Sequence, residues 1–446
     1  MVTDARSPQA TPQSEGHAPG TADHTAVAHD VRSLALALGG TFILRCASQA
    51  AGLLVLVSLG IKSRAEADPT AGVASLIGVT FYASELLGSP VFGALSDRRG
   101  RKLFMLLGPA LGAVAAFLFG FTSLIPVLVL VRVLQGFSTA TAAPATLGFL
   151  SAQTASSERL RGRVMGFYEA ATVVGLALGA YVGGHLYDQF GSTSFTIVAL
   201  MYIVASVPFV LVRDPAAVRR GSRPSVGQLI SRMLNRRIMR FAPAWLAANA
   251  VLGAWFTVGP FLASGAPNHH QFLMRGFSAG EISNAYLVFG ILFTLGAVAW
   301  GFVMPVIGRQ ATLLIGVGGL GFSSVMLWFL NGRPIEPPHP LVPLLIGLVM
   351  LGVFVESGFT PAALAYLAEI AEERAEDRGS VMGVYSVLLA VGQLLGGAMA
   401  WPFADRLGIN GLIVLTGLLC LVALFTVMLL GQSERRYARA LVAPTG

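Results

Sequence analysis

The stretch GALSDRRGRK, residues 93–102, carries five charged side chains in ten positions. Its charges follow directly after a 28-residue run, residues 69–96, in which Glu85 is the only charge. An apolar run of about 20 residues is long enough to cross a bilayer as a helix. The charged cluster therefore predicts the point where a membrane-spanning helix ends and a turn begins.

The composition extends this interpretation to the whole chain of 446 residues. Hydrophobic residues make up 54% and charged residues 12%, whereas soluble domains carry about 25% charged residues. Neither a phosphate-binding G-x-x-x-x-G-K-[ST] loop nor a His/Cys cluster with metal-ligand spacing occurs. We therefore expect a membrane protein that is not an enzyme, has no cofactor or metal site and is not driven by nucleotide hydrolysis.

The charged residues divide the chain into twelve predicted spans of about 20 residues or more, six in each half. The first six lie in residues 33–61, 69–96, 103–157 (two spans, broken at residues 122–126), 164–187 and 189–212. The second six lie in residues 241–274, 282–308, 310–332, 337–368, 379–404 and 407–433. The predicted fold class is all-α, with twelve transmembrane helices in two pseudo-symmetric six-helix bundles.

The segments between these spans predict the domain organisation. Residues 1–31 are expected to be a disordered tail, 32–213 the first bundle, 214–239 a basic linker, 240–431 the second bundle and 432–446 a second tail. Within the linker, residues 225–237 have the pattern of an amphipathic helix that lies on the membrane surface.

The distribution of Lys and Arg predicts the orientation. With the N-terminus inside, 23 of the 30 Lys and Arg residues lie in inner segments and 5 in outer loops. Inner loops carry the excess of positive charge in membrane proteins, so both termini are expected in the cytoplasm, in the cytoplasmic (inner) membrane. The net charge of +8 thus reflects the topology, and the basic inner loops are expected to contact membrane lipid. No nucleic-acid partner is expected.

The two halves repeat each other. Residues 161–191 match residues 378–408 at an offset of 217, with identical residues at Arg161/Arg378, Gly162/Gly379, Val164/Val381, Met165/Met382, Gly166/Gly383, Tyr168/Tyr385, Gly175/Gly392, Gly179/Gly396, Asp188/Asp405 and Gly191/Gly408. Duplicated six-helix halves are common in secondary transporters, where the substrate lies between the halves.

Three motifs resemble the major facilitator superfamily, in particular its twelve-helix drug:proton antiporters. Residues 93–102 match the loop signature G-x-L-[AS]-D-[RK]-x-G-[RK]-[RK] at every fixed position, and residues 132–136, RVLQG, are similar to the R-x-x-Q-G motif of span 4. Residues 175–184, GLALGAYVGG, are similar to the antiporter motif G-x-x-x-G-P-x-x-G-G of span 5, except that Ala180 replaces the proline. Because the proline is part of the antiporter motif, this departure bears on the direction of transport.

The resemblance implies a conformational gate in the first motif, formed by Gly93, Asp97, Arg98, Gly100, Arg101 and Lys102. Gly100 is expected to adopt a turn conformation that other residues rarely adopt. Asp97 is expected to contact the start of span 11 when the inner side is closed, and Pro305 stands at the equivalent place in the second half.

Charged side chains inside spans are costly and call for a role. Glu356 is expected to bind and release the coupled proton from the middle of span 10, facing the other half, with Arg132, Glu169 and Glu85 as further coupling candidates. Bracing pairs of Arg45 with Glu85, or of Arg132 with Glu169, are the structural alternatives.

The resemblance implies that spans 1, 4, 7 and 10 line the central cavity. The candidate cavity residues are Arg45, Gln49, Gln135, Thr139, Trp245, Asn249, Phe256, Thr360, Tyr385 and Gln393.

Together these features predict a monomeric secondary transporter that exports a lipophilic or amphipathic small molecule in exchange for protons. One alternative is a transporter of an organic anion, bound by Arg45 and Arg132. A second alternative is a membrane sensor on the same fold that transports nothing.

Overall fold

A computed structural model describes residues 22–65, 70–122, 124–154, 157–213, 236–334, 339–372 and 378–442. These residues form thirteen α-helices: α1 (Ala22–Lys62), α2 (Ala71–Arg99), α3 (Arg101–Phe119), α4 (Ile125–Gln153), α5 (Glu158–Phe190), α6 (Ser194–Leu211), α7 (Arg236–Ser264), α8 (Ala279–Ile307), α9 (Arg309–Asn331), α10 (Val342–Glu356), α11 (Phe359–Glu372), α12 (Arg378–Leu407) and α13 (Ile409–Val442). Short 3-10 turns at Gly191–Thr193 and Phe272–Met274 complete the described structure.

The helices account for twelve membrane crossings. Eleven stretches are long and apolar enough to span a membrane, and one of them, Arg163–Leu211, contains both α5 and α6. Another, Val342–Leu367, combines α10 and α11. Spans 1–9 are thus α1–α9, span 10 is α10 with α11, span 11 is α12 and span 12 is α13. The predicted all-α membrane fold is confirmed.

Because the described residues make an even number of crossings, the start of α1 and the end of α13 lie on one side of the membrane, which we call the terminal face; the other side is the far face. The first helix begins at Ala22, inside the segment predicted to be a disordered tail. The rest of that tail, residues 1–21, and most of the predicted linker, residues 214–235, lie outside the described residues.

Two glycines with positive φ make equivalent turns in the two halves. Gly100, with φ of 100°, ends α2 and precedes α3. Gly308, with φ of 87°, does the same between α8 and α9. L-residues with a Cβ rarely adopt this conformation. The turn expected at Gly100 is therefore confirmed, and Gly308 makes the same turn in the second half.

The repeated glycines of spans 5 and 11 allow close helix packing. A Cβ on Gly179 of α5 would lie within 3 Å of the backbone of Cys46 in α1. Its repeat partner, Gly396 of α12, faces the backbone of Ala250 in α7 in the same way. Small residues let membrane helices approach each other closely, so the repeat encodes the α1–α5 and α7–α12 contacts.

Span 10 is broken, whereas the sequence predicted a continuous helix with Glu356 near its middle. The break falls at Ser357 and Gly358, between α10 and α11. Pro361 has no N–H group to donate to the carbonyl of Ser357, and a Cβ on Gly358 would meet the ring of Trp300 at 2.7 Å. Glu356 is therefore the last residue of α10, next to an irregular segment of backbone.

Candidate functional site

In the first half, Arg45 of α1 and Glu85 of α2 form an ion pair. Nη1 of Arg45 lies 4.0 Å from Oε1 of Glu85, and the two side chains are 17% and 26% exposed. Arg45 also interacts with Tyr168 and Glu169 of α5. This pair confirms the bracing contact that was one of the two interpretations of Arg45.

Arg132 of α4 is buried and contacts neutral groups. Its Nε donates to the carbonyl of Ile77 in α2 at 3.1 Å, and its Nη1 donates to Oε1 of Gln135 at 2.5 Å. Gln135 in turn donates to the carbonyl of Ser48 in α1 at 3.1 Å. Neither of these described hydrogen bonds of Arg132 goes to a carboxylate, so they do not support its bracing pair with Glu169, and its role in proton coupling stays a prediction. The R-x-x-Q spacing places both side chains one helical turn apart, so that they join α4 to α1 and α2.

The second half contains a small cavity of about 30 Å³ with Glu356 in its wall. The wall also includes Trp245, Asn249 and Thr360, which the sequence predicted, and the rings of Phe293 and Phe359, which it did not. The lining residues all belong to the second half, between positions 245 and 423. Glu356 therefore faces a space inside its own bundle, and the expectation that it faces the other half is wrong.

Aromatic side chains fix the shape of this cavity. Trp245 stacks on Phe359, with ring centroids 6.2 Å apart and planes at 15°. Asn249 donates from Nδ2 to the carbonyl of Trp245 at 2.9 Å, so its side chain is held against α7. The result is one acidic group in a largely aromatic and aliphatic wall.

A row of aromatic rings extends from the cavity between α7 and α8. Phe293 contacts Phe289, and Phe289 and Tyr286 both contact Phe256, a predicted cavity residue. Tyr286 donates to the carbonyl of Trp255 at 2.9 Å, which ties α8 to α7. The sequence missed Tyr286 and Phe289 because apolar spans contain many aromatic residues, and periodicity alone does not select these two.

The remaining candidates occupy separate places. Gln49 is half-buried on α1, Thr139 is buried on α4, and the Glu169 side chain is exposed on α5. The backbone of Gln393 on α12 packs closely against Gly253 of α7. The side chain of Tyr385 lies outside the described residues. These side chains stay candidates and do not line the cavity around Glu356.

The gate motif lies at the terminal face. Asp97 accepts a hydrogen bond of 3.1 Å from Nε of Arg101, and Lys102 donates to the carbonyl of Val210 in α6 at 2.6 Å. Gly93 is buried on α2, and Arg98 is exposed. The side chains at the start of α12, the expected partner of Asp97, lie outside the described residues, so the gate contact stays a prediction.

At the far face, hydrogen bonds join the two halves directly. Ser75 of α2 donates to the carbonyl of Gly397 in α12 at 2.7 Å, and Arg64 donates to the carbonyl of Ser264 in α7 at 2.9 Å. Asp188 of α5 accepts hydrogen bonds from the start of α8. The sequence marked Asp188 only as part of the repeat and assigned it no role.

Comparison with known proteins agrees with this architecture. The family model described as Major Facilitator Superfamily matches residues 37–331 and 244–443. Multidrug resistance protein 1 of Bacillus subtilis (strain 168) is 27% identical over 350 residues, which cover 77% of this chain and 83% of that protein. The quinolone resistance protein NorA of Staphylococcus aureus (strain MSSA476) is 24% identical over 351 residues, 74% of this chain and 80% of NorA.

More distant proteins share the fold. The synaptic vesicular amine transporter of Homo sapiens is 23% identical over 337 residues, 75% of this chain but 62% of that transporter, so the chain spans less than two thirds of it. The crystal structure of the nucleoside transporter NupG superposes with a TM-score of 0.67 at 14% identity, covering 89% of this chain and 98% of NupG. The chain therefore belongs to the Major Facilitator Superfamily, and it is a multi-pass membrane transporter, not an enzyme.

Proposed function

We propose that this transporter exports a lipophilic or amphipathic small molecule in exchange for protons, by alternating access, with both termini in the cytoplasm. The observation that carries the proposal is the cavity around Glu356, in which Glu356 is the only acidic residue among the described lining residues. The aromatic wall favours a lipophilic substrate, and the carboxyl group of Glu356 can bind and release a proton.

The chemistry of this wall supports coupling. Burying a charged carboxylate among apolar groups is costly, so uptake of a proton and exposure of the cavity to water depend on each other. A basic substrate that enters the cavity would balance the carboxylate charge and compete with the proton. Competition of this kind is sufficient for exchange of one for the other.

The relatives support the direction of transport and the type of substrate. Two are named as multidrug and quinolone resistance proteins, which favours export of drug-like compounds. Others are named as amine transporters, which favours a substrate with a basic nitrogen that complements Glu356. A lipophilic amine is therefore the substrate class to test first.

Transport of an organic anion receives less support from the side-chain contacts. Arg132 is 4% exposed and donates to Ile77 and Gln135, while Arg45 is paired with Glu85. An anion that bound these guanidinium groups would first have to displace their present partners.

The proposal is tested by loading cells that express the protein with a fluorescent lipophilic amine and following its efflux with and without a proton uncoupler. We expect efflux against the gradient, and we expect the uncoupler to abolish it. Efflux that is unaffected by the uncoupler would contradict proton coupling. Uncoupler-sensitive transport of an organic anion, with no transport of the amine, would favour the alternative.

A further inference from the structure

Asp188, at the end of α5, binds the start of α8 across the boundary between the two halves. Its Oδ1 accepts from the backbone N–H of Ala279 at 3.0 Å, and its Oδ2 accepts from the N–H of Gly280 at 2.8 Å. The hydroxyl of Ser278 also donates to Oδ2, at 2.9 Å. One carboxylate of the first half thus receives three hydrogen bonds from the second half.

These hydrogen bonds are of a strong kind. Backbone N–H groups in the first turn of a helix have no partner within the helix, and the helix dipole favours a negative charge there. Hydrogen bonds to an ionised acceptor are roughly twice as strong as neutral ones. We propose that Asp188 is a gating residue that holds the far face closed during the transport cycle.

Asp188 lies beside a buried part of the interface between the two halves. One turn earlier on α5, a Cβ on Gly184 would meet the carbonyl of Ala279 and the side chain of Ser283, which is fully buried. Nearby, Ser264 of α7 donates to the carbonyl of Val57 in α1 at 3.2 Å. Opening of the far face separates α5 from α8, so it must break all three hydrogen bonds to Asp188 and expose Ser283.

The sequence repeat supplies a matched control. Asp405 of α12 occupies the position equivalent to Asp188, but its described hydrogen bond comes from Nε1 of Trp401, in its own helix. The Trp401 ring also lies against Gly72 of α2, whereas the equivalent residue of α5 is Gly184. The two acids are equivalent in sequence, and Asp188 alone of the two has described hydrogen bonds from the other half.

The experiment uses Ser283→Cys as an accessibility reporter, in a chain in which Cys46 and Cys420 are replaced by alanine. A membrane-impermeant thiol reagent is added to the far face, using intact cells and inside-out vesicles to present each side in turn. In the Asp188→Asn background we expect labelling from the far face to be about 5- to 30-fold faster, the range that corresponds to the loss of a charge at a partly buried helix start. In the Asp405→Asn background we expect a change of less than about twofold.

A second variant distinguishes loss of the Asp188 contact from misfolding of Asp188→Asn. Gly280→Ala keeps the carboxylate but places a Cβ 2.6 Å from its Oδ2, so it should also speed labelling. An unchanged rate in both variants, or an equal increase in Asp405→Asn, would overturn the gating role. Labelling needs neither substrate nor a proton gradient, so this result is independent of whether the proposed export function is correct.

Discussion

Arg45 and Glu85 bring opposite charges together within the membrane-spanning part of the first half, with 4.0 Å between Nη1 and Oε1. One residue belongs to α1 and the other to α2, so the pair joins two helices. A charge left alone in a bilayer-spanning segment is costly, and each member therefore reduces the cost of the other.

This pairing predicts a positive coupling energy between the two positions. Arg45→Gln and Glu85→Gln should each lower the thermal stability of the purified transporter, because each leaves one charge without its partner. The double variant should be less destabilised than the sum of the two, by about 0.5–3 kcal/mol. The measurement is a double-mutant cycle on thermal unfolding in detergent. Strict additivity would show that the two charges do not interact.

Glu356 is predicted to couple transport to the proton gradient. Glu356→Gln keeps the size and a polar end but cannot ionise, so uphill efflux should fall to the background of cells without the protein. Substrate binding or downhill exchange should remain, because the aromatic wall of Trp245, Phe293 and Phe359 is unchanged. Both are measured with a radiolabelled substrate in proteoliposomes, with and without a pH gradient.

The matched control is Glu281→Gln, which removes a carboxylate at the far face, outside the cavity. It should leave the pH-gradient dependence of transport unchanged. Full proton-driven efflux by the Glu356→Gln variant would exclude Glu356 as the coupling residue.

The number of crossings and the turns could be predicted from sequence because they depend on local properties. The length of an apolar run decides whether a helix spans the bilayer, and a glycine such as Gly100 or Gly308 permits a positive φ. The repeat also marked Gly179 and Gly396, whose close contacts with α1 and α7 follow from the absence of a side chain.

The partners of the buried polar groups could not be predicted in the same way. Arg132 contacts Ile77 and Gln135 rather than a carboxylate, because its reach depends on how α4 sits against α2. The break beside Glu356 similarly depends on tertiary packing. Pro361 weakens the helix locally, but the position of the Trp300 ring against Gly358 is a property of the folded bundle.

Arg132 is predicted to need its planar guanidinium group. It donates from two different nitrogens to two acceptors, the carbonyl of Ile77 and the side chain of Gln135. The compact ammonium of lysine cannot reproduce that fork, so Arg132→Lys should destabilise the fold by about 1–3 kcal/mol and impair transport. Thermal unfolding of the purified variant measures the change.

Arg163→Lys, at an exposed position of α5, provides the matched control for Arg132→Lys. It should change the stability by less than about 0.5 kcal/mol. Equal stability and equal transport in Arg132→Lys would mean that a diffuse positive charge is sufficient at this position.

Asp97 is predicted to act on the opposite side from Asp188. A carboxylate at the end of α2 that meets the start of α12 would close the terminal face, since a helix start carries roughly half a positive charge. Asp97→Asn should therefore expose the terminal face and reduce transport, while Pro305→Ala, at the equivalent place in the second half, should do little. Labelling of Ser380→Cys from the terminal face should be faster in the Asp97→Asn background, and labelling of Ser283→Cys from the far face should not.

Unchanged labelling at Ser380→Cys would reduce Asp97 to its local pair with Arg101, which lies 3.1 Å away. Faster far-face labelling would instead show that both acids stabilise one and the same closed state, contrary to the alternation that two opposed gates require.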